Sequence, residues 1–352
     1  MSTSYRARRP AQWLIAFGLA MGWLVIAVQA RGEDVVYLKP TTGGAVGSKV
    51  AGEVLDHSGQ GLRITPAGGR ERTIPARQVD RIVTKRSEEQ QAGDELFARQ
   101  DFREALVQYN RALEGDREPR AWVRRQLMAQ IVWCQRNMGQ TVAAGQHFLI
   151  LADLDLQSPY FDALPLAWTE LRPTDDVTTA AKEWLRSDRP VAALLGASLL
   201  VASDERASAI ERLRQLSRDA DPRIAWLAET QTWRASVDRA PAEELRHWSE
   251  LIEASDEVLR AGPYFVLGSA LAPKRPEDAA LAFMKVPLLY PRERALSAAS
   301  LLAAAKCLEA LGRAEQAARL YREVISRYTG APETVDAERR LQKLSNSPAK
   351  AP

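Results

Sequence analysis

Polar and apolar residues alternate in short runs over residues 34–84, and the period then changes. "DVVYL", "KVAGEVLDHSGQGLRIT" and "RTIPARQVDRIVT" place an apolar residue at nearly every second position. Turn chemistry separates these runs: Asp56-His-Ser-Gly59 and Ala67-Gly-Gly69. Period two with β-branched residues and Gly-containing turns predicts strands, about five in this stretch. Val54, Leu62, Ile64, Ile74, Val79 and Ile82 are the expected core. The strands either close into a small barrel or lie open against the first helices.

From Ser87 onward the period is helical. A first hairpin is expected over 88–99 and 102–114, turning at Gln100 and Asp101. Ala105, Tyr109 and Ala112 recur as Ala144, Phe148 and Leu151, as Ala279, Phe283 and Val286, and as Ala317, Tyr321 and Val324. Offsets of four and seven lie on one helical face. The Ala allows close approach of the paired helix, and the aromatic fills the space to the next hairpin. "CQRNMGQTVAAGQHF" and "CLEALGRAEQAARLY" align without a gap. Gly139 and Gly312 each precede their Ala by five, where a left-handed cap ends the first helix. Cys134 and Cys307 then fill one slot in separate repeats. We expect two buried thiols there, with a disulfide as the alternative.

Between the repeating blocks the pattern is looser. Residues 158–176 hold three prolines and read as a bridging loop. Short helices follow, opened near Asp188 and Pro190, at Ser203 and Asp204, and at Asp221-Pro222, an N-cap followed by proline in the first helical position. The last residues, "SNSPAKAP", read as a disordered tail.

Charge changes the picture at one end. The chain has 352 residues and a formal net charge of +3. Arg6, Arg8 and Arg9 supply all of it, so the remainder is balanced and offers no clustered cations for nucleic acid. Residues 13–28, beginning at Trp13 and ending at Val28, are uncharged and mostly apolar, and Val28-Gln29-Ala30 suits signal cleavage. An export signal over 1–30 is expected, which places the mature chain in the periplasm or outside the cell. An uncleaved inner-membrane anchor is the alternative, because a span needs roughly 20 residues.

Gly93-Asp-Glu-Leu-Phe97 with Phe102, Ala105, Tyr109 and Ala112 resembles a tetratricopeptide repeat. The match is specific for 93–113, good for 300–332 and degenerate for 129–151 and 277–291. The spacings Ala105 to Ala144 and Ala279 to Ala317 exceed the family's 34-residue period. The stretch 279–328 is also similar to tetratricopeptide segments of bacterial envelope proteins, including those linked to the Tol-Pal system. "LSRDADPRIAWLA" is weakly similar to the turn of HEAT repeats, and 34–84 to SH3-like or Sm-like barrels. The resemblance implies a mainly α fold, an α-solenoid of helical hairpins behind a small barrel-like or open-sheet β-module. It implies segments at 31–85, 86–157, 158–176, 177–261, 262–345 and 346–352. It further implies a concave groove taking a protein or peptide partner, lined by Asp94, Phe97 and Ala98, and by Lys306, Glu309 and Ala310.

Motifs for chemistry are weak. In "TTGGAVGSK" the Lys follows Ser, so the phosphate-loop order fails. Glu244-Leu-Arg-His247 has carboxylate–histidine spacing, but such metal sites need a second copy. His57, His147 and His247 lie in different regions. Neither cofactor nor metal is expected. Seven tryptophans follow residue 30, and Trp168 in the bridging loop is the best candidate among them for an interface anchor. The leading expectation is an exported, non-catalytic scaffold for protein–protein contact. The alternatives are an envelope enzyme and a structural protein that binds a wall polymer.

Overall fold

The structure is a computed structural model that describes residues 34–40, 47–115 and 117–346. The expected export signal, most of the Gly-rich run 41–49 and the last six residues lie outside the described residues.

Five antiparallel strands form the sheet: β1 (Asp34–Leu38), β2 (Lys49–Ser58), β3 (Gly61–Pro66), β4 (Arg72–Ile74) and β5 (Val79–Val83). Their order is β4-β3-β2-β1-β5. A barrel would need β4 to pair with β5. They lie at opposite edges, so the sheet is open. Val36, Val54, Leu62, Ile64 and Ile74 are at most 7% exposed. They share one apolar core with Tyr109, Trp122, Val123 and Leu127 of the first helices. The sheet therefore does not enclose a core of its own. It borrows one.

Fourteen α-helices follow among the described residues: α1 (Glu88–Ala98), α2 (Phe102–Leu113), α3 (Ala121–Asn137), α4 (Thr141–Leu154), α5 (Asp175–Leu185), α6 (Pro190–Leu200), α7 (Arg206–Leu216), α8 (Pro222–Trp233), α9 (Ala242–Ala254), α10 (Ala261–Leu271), α11 (Pro276–Leu289), α12 (Arg294–Ala310), α13 (Ala314–Arg327) and α14 (Glu333–Asn346). Most pack chiefly on the next helix in the chain, as in an α-solenoid. None among the described residues is long and apolar enough to cross a membrane. Helix α14 runs through Ser345 and Asn346, two residues assigned from sequence to the tail.

The repeated Ala–aromatic–small spacing produces the expected contacts. All twelve residues in its four copies are at most 2% exposed. On the paired helix the partner position is small. A Cβ on Gly93 would lie 2.7 Å from the Tyr109 ring, and one on Gly268 would lie 2.8 Å from Phe283. Gly139 and Gly312 take φ of +71° and +75°, which glycine adopts without steric cost. The corresponding position of the first hairpin, Gln100, takes φ of 71° without being glycine. Ser87 and Asp221 cap α1 and α8 through their side chains, and Pro222 occupies the first turn of α8. Both cysteines are buried free thiols, and burial pushes the Cys134 thiol up to about 12.

The bridging segment before α5 is held by a buried cation. Arg234 donates to the carbonyls of Ala167, Ser198 and Thr169 and to the Gln231 side chain. Its side chain is 1% exposed, and Glu170 supplies a carboxylate 3.5 Å from Nε. Burial lowers its pKa to about 10, so it remains charged at neutral pH. Fixed carbonyls and one acid replace the lost hydration.

The turn between α11 and α12 reaches back to the start of the helical array. Arg292 donates to Gln130 of α3 at 2.6 Å, and Arg136 of α3 pairs with Glu293 at 2.6 Å. The Arg292 guanidinium lies over the Trp133 and Phe97 rings. Arg294 lies over Phe102. The hairpins therefore do not run on as an open superhelix. They curl until the turn after the third copy of the pattern touches the first two hairpins.

Candidate functional site

An open cleft of about 1260 Å³ lies between the sheet and the middle helices. One wall is the segment from Pro75 through β5. The floor is the chain leaving α4, from Leu156 to Phe161. The far wall is the start of α8 with Val258 and Leu259. Leu156 is 74% exposed and Val258 43% exposed, so two aliphatic side chains face solvent here. Pro159, Pro190 and Pro222 add rigid apolar surface. Arg223 supports the floor, donating to the carbonyls of Ser158 and Leu156 while pairing with Asp221. Its guanidinium also stacks over Phe161.

Many charges in the cleft are already committed to one another. Arg223 pairs with Asp221, Arg189 with Asp153, and Arg86 with Asp94. Asp219 and Asp256 accept from nearby backbone N–H groups. On the sheet side Lys39, Arg77 and Arg81 are exposed, and Arg81 lies 4.1 Å above the Tyr37 ring. At the back, His57 is 6% exposed and meets Tyr160 edge-on. Burial, aided by Arg125, lowers its pKa to about 4, so the ring is neutral at physiological pH. Asp56 pairs with Arg125, and Asp155 accepts from the Gly59 N–H, which pins the β2–β3 turn against the helices.

The residues singled out from sequence fall elsewhere. Asp94 accepts from Tyr109 and pairs with Arg86. Phe97 packs edge-on against Phe102 at 5.2 Å, beneath Arg292. At the other end Lys306 pairs with Asp336 of α14, while Glu309 accepts from Tyr321 and Arg340. Ala98 and Ala310 are exposed. The two groups sit in separate hairpins, and internal partners engage all their polar side chains. Trp168 is 9% exposed, and its ring lies so close to α10 that a Cβ on Gly262 would meet it at 1.9 Å. It packs in the core. Leu156, Val258, Arg77 and Arg81 gave no motif. Only an aliphatic residue among polar neighbours, as in "DLDLQS" and "SDEVLR", marks the first two.

Comparison with models of known protein families finds none that matches this chain, and comparison with curated proteins finds no match either. What the fold defines is a class: a helical-repeat protein carrying a small open antiparallel sheet at its start.

Proposed function

We propose that the protein is an exported, non-catalytic scaffold of tetratricopeptide-like hairpins that holds a segment of a partner protein in the cleft between sheet and helices. The observation that carries this reading is the cleft itself. It is open, about 1260 Å³, and combines exposed aliphatic residues with charges that largely neutralise each other. Ligand sites of this kind bury apolar groups and use a few polar groups for orientation. The tetratricopeptide reading is supported by the four buried copies of the Ala–aromatic–small pattern and by the glycine caps. Export to the periplasm or beyond rests on the basic, then apolar, start of the sequence. The groove at Asp94 and Lys306 is the weaker site, because its polar side chains already have partners.

The test is affinity capture from cells cross-linked before lysis, comparing the natural chain with a Leu156→Glu, Val258→Glu variant. The expected result is a protein partner retained by the natural chain and lost from the variant, with the melting temperature unchanged. A partner set that ignores the variant, or hydrolytic activity of the purified chain on murein or esters, contradicts the reading.

A further inference from the structure

The cleft has a wall that ordinary groove walls lack. Val79, Asp80, Arg81 and Ile82 all line it. Consecutive strand residues point to opposite faces of a sheet, so neither face alone can present four in a row. The edge of β5 must face the cleft. The register shows which backbone groups lie there. Lys39 N–H donates to the Gln78 carbonyl, while Leu38 N–H donates to Ser48 at the other side of β1. Alternation then sends the backbone groups of Val35 and Tyr37 toward β5, where they pair with Val83 and Arg81. The N–H and C=O groups of Ile82, between the paired Arg81 and Val83, therefore point outward, the register shifts at Asp80, and β5 ends the sheet among the described residues.

We propose that this edge takes an extended segment of a partner protein as a sixth strand, and that the segment alternates acidic and apolar side chains. The inference rests on the scaffold reading and names how the partner is held. Main-chain hydrogen bonds to an exposed edge supply affinity, and alternate side chains supply selectivity. The two faces of β5 differ in chemistry. Arg81 shares the outer face with Tyr37, and Arg77 and Lys39 stand beside it. All three cations are exposed, and none has an acidic partner among the described residues. An added strand places every second side chain next to Arg81, where opposite charge is favoured. Ile82 lies on the inner face, opposite Val36 of the core, so the alternate side chains meet apolar surface. Leu156 and Val258 extend that surface across the cleft. β4, with three residues, offers a shorter edge.

The experiment uses the purified full chain and three fluorescent synthetic peptides. One alternates Val and Glu over seven residues, one alternates Val and Lys, and one is the Val/Glu peptide with alternate amides N-methylated. Ile82→Pro removes the outward N–H while leaving Arg81 and Val83 paired with β1. Proline is tolerated on an edge strand where its N–H would face outward. Ile82→Val keeps the N–H. Anisotropy should show the Val/Glu peptide binding, the Val/Lys and N-methylated peptides weaker by about tenfold or more, and Ile82→Pro weaker by about tenfold, with Ile82→Val unaffected. Arg77→Glu with Arg81→Glu should reverse the preference between Glu and Lys peptides. If Ile82→Pro does not fold, the N-methylated peptide carries the backbone test. Equal binding of all three peptides, or no binding, overturns the proposal and leaves the cations as guards of a bare edge. A dimer that Ile82→Pro converts to monomer overturns it in favour of a second copy. Partners captured through Leu156 and Val258 but indifferent to Ile82→Pro remove strand addition and leave the scaffold reading standing.

Discussion

At Gln100 the backbone takes φ of 71°, a left-handed conformation that costs a non-glycine residue roughly 1 kcal/mol or more. Gly139 and Gly312 meet the same demand without that cost, and the spacing of five residues before Ala105 marks Gln100 as their counterpart. We predict that Gln100→Gly raises stability by about 0.5–1 kcal/mol in urea unfolding, the relief of strain exceeding the added freedom of the unfolded chain. His57 makes a pH-dependent contribution. Its ring is held neutral, so the unfolded chain binds a proton near pH 6.5 and the folded chain only near 4. Stability is therefore full above about 6.5 and falls by roughly 3 kcal/mol as pH drops to 4. Unfolding curves across that window should flatten in His57→Phe. Burial likewise predicts that Cys134 and Cys307 resist alkylation in the native chain and react in urea. The slot shared by the two cysteines was legible from the aligned repeats. The burial of His57 was not, because Tyr160 and Arg125, which surround it, lie far along the chain.

Among the elements, the hairpins were the most legible, since their contacts are local and recur at fixed offsets. Gly93 shows how tightly they are set. A Gly→Ala change inside a helix usually stabilises, but here the new methyl would sit 2.7 Å from the Tyr109 ring. Gly93→Ala should therefore destabilise, by about 1–3 kcal/mol, and Ala105→Leu should do the same from the opposite helix. Thermal melts of the two variants check this; a rise in either would contradict the packing. The caps at Asp221 and Pro222 were also readable from sequence. The open sheet against the barrel was not decided by pattern, because β4 and β5 read as strands in both arrangements. What decides it is that β4 and β5 lie at opposite edges of the sheet instead of pairing. Trp168 misled for a related reason. Its prolines mark an irregular segment, but Arg234 satisfies that segment's carbonyls and lets it run buried.

Across the whole molecule the hairpins curl, and the turn between α11 and α12 meets α3 more than 150 residues earlier in the chain. No local spacing signals such a contact. Arg292 and Arg136 hold it through Gln130, Glu293 and the Trp133 ring. We predict that Arg136→Ala with Arg292→Ala enlarges the radius of gyration in solution scattering while helicity by circular dichroism stays constant. An unchanged radius would show that the neighbouring hairpins alone set the curvature. The same curl leaves the cleft on the sheet side, assembled from the β5 edge, the α4 exit and the start of α8. Its walls come from three distant parts of the chain, which is why it had no sequence signature. The central claim is that a partner protein occupies this cleft. The most direct measurement places a photo-crosslinking residue at Val258, and separately at Leu288, which is 70% exposed but lies outside the cleft. The account predicts a discrete protein adduct in living cells from Val258 and none from Leu288. Adducts from Leu288 alone, or from neither position, would contradict it.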